Sequence, residues 1–550
     1  MDLRTIARVG RFKDIVVTLV RYGFDDLVQR LDLPGTGVIK RIEKADRELG
    51  TYERIRYALE DLGPTFVKFG QIMSLRPDLL PPPLIQELTR LQDEVAPEEF
   101  HNIKGVLQQS LGGDLKEIFS AFDEKPLASA SLSQVHRGVL RNGGRTVSVK
   151  VQRPGIRRKI ELDLDMVEAL VDRLHERSED LRAYDLPNLV RIIRRNLLRE
   201  LDFTREARNM KIARSNMAEE AGIYIPEAYE EYCSEQVLVM EYLEGTKLRD
   251  LEALAPEDAE SLARQGLNAA IKQILEDGFF HADPHPGNIL VAEGNMLCLL
   301  DWGMVGRLSE RDRYELMDLI KAVVEKDSEG LVDSLLLLTK GEYGIDRRGL
   351  ERDLLEIFDT YFAVPIKDMN LGHLLLDITS LLRGFRLRLP PDLVIMVKAL
   401  ITAEGTARQI YPELNVVSEA EGSVERLAAS RFRPGRVWHN LRGSIRHFLA
   451  LQRQFPLRAY QIMDKLDRGE LAIRFEHENL TGLRKTLEHI FNRLTFGIII
   501  GSLIIGSTMI ITTGIGPLLF GFPALGVIGY LISGLLGLWL VFNIIRTRKY

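Results

Sequence analysis

The 550-residue chain predicts an α+β architecture: a helical extension, two lobes of mixed structure, and two apolar helices at the carboxyl end. Three features carry that expectation. Short apolar strand segments bounded by turn residues cluster between residues 146 and 300. Leu316 to Ile410 shows helical apolar periodicity with few strand signals. From Leu494 to Ile545 run 52 residues without a charge, beyond the reach of any soluble core helix.

These features divide the chain into an N-terminal helical extension over 1–120, a small mixed lobe over 121–245, a mainly helical large lobe over 246–420, a basic connector over 421–493 and two spans within 494–545. The formal net charge is −6, which speaks against a nucleic-acid protein. Cys233 and Cys298 are the only cysteines, as suits a reducing compartment without disulfides. No internal repeat or low-complexity tract is visible.

Two acidic segments point to phosphoryl chemistry. His281-Ala-Asp-Pro-His-Pro-Gly-Asn288 holds Asp283 and Asn288 at the five-residue step of a phosphotransferase catalytic loop, where the Asp faces the acceptor oxygen and the Asn holds a metal ion. Asp301 follows in Leu299-Leu-Asp-Trp-Gly303. Between them, Ile289–Val291 and Met296–Leu300 read as a hairpin around Glu293-Gly-Asn295, which would bring Asn288 and Asp301 to one site. Two side-chain oxygens with phosphate oxygens and water suit Mg²⁺. His-x-Asp-x-His also suits zinc, but no further His or Cys cluster completes a ligand set.

An anchoring lysine is expected upstream on a strand. Thr146-Val-Ser-Val-Lys-Val-Gln152 alternates Val147, Val149 and Val151 on a buried face and projects Lys150 from the other, toward the phosphates. Before it, where a glycine loop would cover the phosphates, stand Ala128, Ser129, Ala130 and Ser131; the added side chains narrow the backbone angles and imply an altered nucleotide preference. Pro187 to Met217 reads as one long helix carrying Glu200, Asp202 and Glu206. At 100° per residue, Glu200 and Glu206 stand about 120° apart and serve different partners, while Asp202 lies within about 40° of Glu206, near the metal. Spacing alone leaves Glu161, Glu200 and Glu206 open as partners of Lys150.

Taken together, Ala-Ser-Ala-Ser131 before Gln134-Val-His136, Val149-Lys-Val-Gln-Arg-Pro-Gly155, Glu200-Leu-Asp-Phe203, the Asp283 and Asp301 segments and, upstream, Lys68-Phe-Gly-Gln71, Ser74-Leu-Arg-Pro-Asp-Leu-Leu-Pro81 and Leu91-Gln-Asp93 resemble the UbiB family of atypical protein-kinase-like proteins. The resemblance spans roughly residues 60 to 310. It implies a bilobal protein-kinase-like fold in which Lys150 contacts phosphates, Glu206 positions it as the helix-αC glutamate, and a lid carrying Lys68 and Gln71 folds over the nucleotide, Lys68 pairing with Glu200. Such a lid leaves little room for a polypeptide acceptor. Val237 to Gly245 resembles the hinge between kinase lobes, with Met240 flanking the adenine and Glu241 and Leu243 at its edge. Two departures stand out. Both Ala-Pro-Glu strings, Ala96 to Glu98 and Ala255 to Glu257, precede Asp283, and Trp302 replaces the usual Phe after Asp301.

At the carboxyl end, Leu494 to Thr513 and Ala524 to Ile545 fit two crossings joined by a Gly/Pro turn, with Gly497, Gly501, Ser533 and Gly537 spaced for close helix approach. Arg493 before the pair and Arg546, Arg548 and Lys549 after it place both ends on the cytoplasmic side of an inner membrane. No secretory signal is read in Met1 to Val20. Arg426 to Met463 carries eight arginines interleaved with aromatic and aliphatic groups and no Asp or Glu, suited to anionic headgroups, with RNA or acidic parts of the same protein as competing uses.

The leading expectation is therefore a membrane-anchored enzyme using ATP or ADP with Mg²⁺. The resemblance implies support of isoprenoid-quinone biosynthesis, with membrane lipids, quinone precursors and quinone-biosynthesis enzymes as partners. The alternatives are a small-molecule phosphotransferase of the aminoglycoside or choline kinase type and a nucleotide-regulated membrane scaffold.

Overall fold

The computed structural model describes residues 3–25, 49–74, 80–91, 95–177, 186–251, 254–325, 327–339, 345–362, 371–416, 419, 422, 480–513, 515, 517–519 and 521–547. The arginine-rich segment 426–463 and residues 75–79, 92 and 93 of the upstream motif lie outside these. The chain divides into two compact units, Met1–Trp438 and His439–Tyr550.

The first unit begins with helices α1 (Leu3–Arg21), α2 (Thr51–Leu62), α3 (Pro64–Ser74) and α4 (Pro82–Thr89), followed by α5 (Phe100–Leu111) and the short α6 (Leu115–Ile118). A sheet of β1 (Phe119–Phe122), β2 (Ala128–Ser129), β3 (Ser133–Leu140), β4 (Thr146–Gln152) and β6 (Val237–Glu241) follows, with neighbours antiparallel in the order β1-β3-β4-β6 and β2 paired to β3. β4 is where the sequence puts it, and Val147, Val149 and Val151 are wholly buried against Ile103, Leu107, Val237 and Val239. Burying three such side chains contributes several kcal/mol and sets the register that turns Lys150 to the opposite face.

Between β4 and β6 lie α7 (Ile156–Arg177), α8 (Leu186–Glu200) and α9 (Phe203–Asn216), the helical insertion that separates Lys150 from Glu206. The expected single helix from Pro187 to Met217 is not continuous. It breaks at Leu201 and Asp202, and Asp202 caps α9 by accepting bonds from Thr204 N (3.1 Å) and Oγ1 (2.6 Å). The capping aspartate satisfies backbone donors that an unbroken helix would not leave exposed. Asp202 therefore does not lie along one helix face with Glu206; its carboxylate serves the helix start.

The large lobe holds β5 (Ile223–Tyr224), β7 (Thr246–Lys247), β9 (Ile289–Ala292) and β10 (Met296–Leu299) in the order β5-β10-β9-β7, and a separate antiparallel pair, β8 (Phe279–His281) with β11 (Val305–Arg307). The expected hairpin is present, with Met296 opposite Ala292 and Leu299 opposite Ile289. Gly294 and Asn295 turn it with φ of 75° and 58°. Helices α10 (Pro256–Lys272), α11 (Glu310–Glu325), α12 (Ser328–Leu338), α13 (Arg347–Phe362), α14 (Leu371–Gly384) and α15 (Pro391–Ile410) enclose one apolar core that includes Leu267, Leu331, Leu350, Leu374 and Val397.

The second unit contains α16 (Leu480–Thr513) and α17 (Ala524–Thr547). Within them, Leu494–Thr512 and Ala524–Val541 are long and apolar enough to cross a membrane. The two helices pack antiparallel, Thr508 Oγ1 meeting Tyr530 Oη at 2.7 Å and the Phe496 and Trp539 rings lying 5.5 Å apart. The glycines that allow close approach are not those expected. A Cβ at Gly497, Gly501 or Gly537 would meet nothing within 4 Å, whereas one at Gly526 would strike Ile511 and one at Gly529 would strike Ser507. The helices stay in contact as far from the turn as Phe496 and Trp539, so Gly497, Gly501 and Gly537 lack a neighbour because they lie on faces turned away from the partner helix.

Candidate nucleotide site

Three segments converge where β8 runs beside β11. Ala282 N donates to Met304 O (3.1 Å), and Leu300 N donates to Asn288 O (2.8 Å), which draws the loop after β8 and the end of β10 together. His281 joins them. Its Nε2–H donates to Leu300 O (2.8 Å) while Nδ1 accepts from Asp283 N (3.1 Å). Burial pulls its pKa below the ordinary value, consistent with this neutral tautomer. With both ring nitrogens engaged, His281 has none left for zinc, and among the described residues no group of three or more His, Cys, Asp and Glu could hold a metal.

Lys150 and Glu206 meet across the small lobe. Lys150 Nζ lies 2.8 and 3.0 Å from the two Glu206 oxygens and 3.3 Å from Asp301 Oδ1. The Glu206 side chain is 3% exposed and that of Asp301 47%, so one carboxylate is sealed and the other faces the cleft. Desolvation lifts Glu206 to about 7 against the pull of Lys150. Asp301, although desolvation opposes it, is held well below the usual carboxylate range by Lys150 and then Lys68. Burial disfavours the Lys150 charge, but the Asp301 and Glu206 carboxylates together raise its pKa. Glu161, open on spacing alone, instead pairs with Arg157 at 3.5 Å on an exposed face.

Backbone geometry sets Asp301 apart. It has φ 54°, a left-handed conformation uncommon outside glycine, and its Oδ1 accepts from Gly303 N at 3.3 Å. Trp302 holds this turn: the ring is fully buried, its Nε1 donates to Leu299 O (3.2 Å), and Asn209 Nδ2 of α9 donates to Trp302 O (3.0 Å). The larger aromatic is thus accommodated by the core against Phe279 and His281.

On the large-lobe side, Asn288 Nδ2 donates to Asp283 O (3.3 Å), leaving its amide oxygen as the side chain's acceptor. Asp283 Oδ1 lies 2.9 Å from Lys398 Nζ on α15, a residue that no motif signalled. Desolvation opposes the Asp283 charge, yet Lys398 keeps its pKa below the ordinary value. Gln273 was also missed; it sits in a π-helical turn over Gln273–Asp277 and accepts from His281 N (2.9 Å). Asn288 and Asp301 offer one amide oxygen and one carboxylate, both hard donors of the kind that Mg²⁺ takes together with water and phosphate oxygens.

The lid and loop residues are tied to the same framework. Lys68 pairs with Glu200 at 2.8 Å, while Gln71, a turn away on α3, donates to Leu91 O (3.1 Å). Gly70 sits between them because a Cβ there would enter the side chains of Leu91 and Leu59. Buried Asp163 of α7 receives Arg11 (2.6 and 3.0 Å) and Thr65 Oγ1 (2.6 Å), which pins the extension to the small lobe. In the loop, Ala128 and Ser129 pair with β3, Ser131 is 1% exposed, and Arg153 donates to Ala130 O (2.8 Å) and Ser129 Oγ (2.8 Å). At the hinge, Met240 and Glu241 end β6 and Leu243 follows; the Glu241 carboxylate accepts from Tyr224 Oη (2.8 Å) and its backbone N donates to Glu227 O (2.8 Å).

The model of the ABC1 atypical kinase-like domain matches residues 90–335, that of the UbiB helical domain residues 354–415, and that of the ABC1/UbiB kinase-like C-terminal domain residues 478–546. A probable protein kinase UbiB of Vibrio cholerae is 31% identical over 543 residues, covering 96% of this chain and 98% of that protein. The chain belongs to the UbiB family. Another relative within reach of this UbiB-family chain is an uncharacterized protein from the hydrogenase 1 5′ region of Clostridium pasteurianum, 33% identical over 98% of this chain and 99% of its own. Among solved structures, the Rv3197–erythromycin complex from Mycobacterium tuberculosis covers 64% of this chain and 90% of that one at TM-score 0.47 and 21% identity. The UbiB-family chain is therefore an atypical kinase-like protein with a kinase-like fold.

Proposed function

We propose that this UbiB-family chain is a membrane-anchored, Mg²⁺-dependent ATPase or small-acceptor phosphotransferase that supports isoprenoid-quinone biosynthesis and does not phosphorylate proteins. The observation that carries this reading is Lys150 held between Glu206 and Asp301 at the cleft. Lys150 would bind the α- and β-phosphates, with Glu206 holding its ammonium in place. Asp283 would orient the attacking oxygen, water or a small hydroxyl. Asn288 and Asp301 would hold Mg²⁺, whose charge offsets that developing on the transferred phosphoryl group. The adenine would lie against Met240, its edge meeting the backbone of Glu241 and Leu243. The Ala128–Ser131 loop, drawn back by Arg153, favours a shorter reach toward the phosphates than a glycine arch would give, hence a bias between ATP and ADP.

The Lys68–Glu200 pair supports the lid reading, since a helix secured beside Asp301 narrows access for a polypeptide. The two apolar helices support a membrane anchor, and the flanking Arg493, Arg546, Arg548 and Lys549 motivate placing both ends on the cytoplasmic side of an inner membrane. Quinone precursors and their enzymes are the partners that membership of the UbiB family motivates. The test is phosphate release from ATP by the full chain, with and without anionic liposomes and a quinone-precursor analogue. Turnover is expected to rise with both additions and to fall by about 10² or more in Asp301→Asn. Undiminished turnover in that variant would remove Asp301 from the mechanism.

A further inference from the structure

Helix α15 sends one side chain into the cleft that the roles above do not employ. Lys398 stands between Val397 and Ala399, 5% and 1% exposed, on a helix otherwise committed to the large-lobe core. Its ammonium leaves that core and reaches Asp283 Oδ1 at 2.9 Å. About two turns further along, Thr406 Oγ1 donates to Pro284 O at 3.4 Å, so one helix grips two successive residues of the loop. Ala399, Ala403 and Ala407 line a small cavity together with Pro284 of that loop.

Stability gives little reason for the pair. The side chains are 28% and 34% exposed, and an ion pair so placed contributes about 1 kcal/mol or less. Orientation gives a better one. The loop does not fix the Asp283 carboxylate with its own residues: His285 Nε2 is 4.0 Å from Oδ2 and half-exposed, His281 spends Nε2–H on Leu300 and takes the Asp283 backbone N–H at Nδ1, and Asn288 donates to the Asp283 backbone oxygen. Lys398 is the close cation on that carboxylate among the described residues. A nucleophile-orienting group delivers its rate only when its rotamer is fixed to within a fraction of an ångström.

Resting on the nucleotide-site reading above, we propose that Lys398 is the positioning residue for Asp283, fixing the carboxylate rotamer that orients the attacking oxygen. A helix of the large-lobe core thereby completes the catalytic loop from outside that loop. Replacement by an apolar side chain of similar length frees Asp283 to rotate without opening the core.

The experiment uses the full chain in detergent with ATP and Mg²⁺, measuring phosphate release, nucleotide affinity by calorimetry and melting temperature for wild type, Lys398→Met, Lys398→Arg, Asp283→Asn and the Lys398→Met/Asp283→Asn pair. Lys398→Met is expected to lower kcat about tenfold or more with nucleotide affinity and melting temperature unchanged, and Lys398→Arg to recover part of the rate. The double variant is expected to be no slower than Asp283→Asn, because the lysine acts through that carboxylate. Wild-type kcat in Lys398→Met, losses that multiply in the double variant, or affinity falling in step with rate would each overturn the proposal while leaving the nucleotide reading intact. A wild-type chain that binds no nucleotide would overturn both.

Discussion

The two walls of the cleft hold their charges in different ways. On the small-lobe wall, Lys150 is 14% exposed between a sealed Glu206 and an open Asp301. On the large-lobe wall, Asp283 and Lys398 both remain about a third exposed. The first cluster is part of the structure and of the site at once: removing one partner strands a charge in a low-dielectric environment. The second adds little to the fold, so it isolates a contribution to chemistry. Burial, more than distance, separates them, since the shortest contacts are 2.8 and 2.9 Å.

Glu206→Ala should break the first wall most visibly. With Lys150 left only Asp301 at 3.3 Å, a loss of about 3 kcal/mol is expected, at the low end for a buried pair, and should appear as a lower denaturation midpoint together with lost turnover. A midpoint like that of Lys398→Met would erase the contrast between the walls. Lys68→Met should have a smaller effect, about 1 kcal/mol, because the Glu200 carboxylate it strands is 17% exposed where Glu206 is 3%; it should sharpen the comparison by speeding protease cleavage of the N-terminal extension while leaving the small lobe intact. Unchanged cleavage would argue that Asp163 alone holds the extension.

The smallest effect concerns pH. His136 is wholly buried in the small-lobe sheet, its Nδ1–H donating to Asp123 O and its Nε2 accepting from Gln134, and burial lowers its pKa below 6.5. The unfolded chain then binds more protons below about 6.5, so stability is present above that pH and declines as pH falls. Melting temperatures from pH 8 to 5 should fall less steeply for His136→Gln than for wild type. Equal slopes would assign the acid response elsewhere, with His281 the next buried candidate.

Much of the small-lobe wall, and the large-lobe hairpin, was legible because strand alternation and motif spacing are local signals. The three valines of β4 announced both the strand and the face bearing Lys150, and the Glu293-Gly-Asn295 turn announced the hairpin. The break before α9 was less legible: Leu201-Asp202 sits in a run of good helix formers, and only the Thr204 bonds turn Asp202 into a cap. In the apolar pair, glycine spacing marked four-residue repeats, yet the close approach is at Gly526 and Gly529 because contact depends on which face each helix turns to its partner.

By itself the sequence determined the strands, the cleft motifs, the helical large lobe and two helices of membrane-spanning length, because each follows from periodicity or composition within a short window. Only the tertiary structure decided which glutamate meets Lys150, that Asp202 caps a helix, and that Lys398 reaches Asp283 across 115 positions of chain. Those contacts arise where separately stable elements dock, and a lysine's sequence neighbours say nothing of the carboxylate that packing will bring to it.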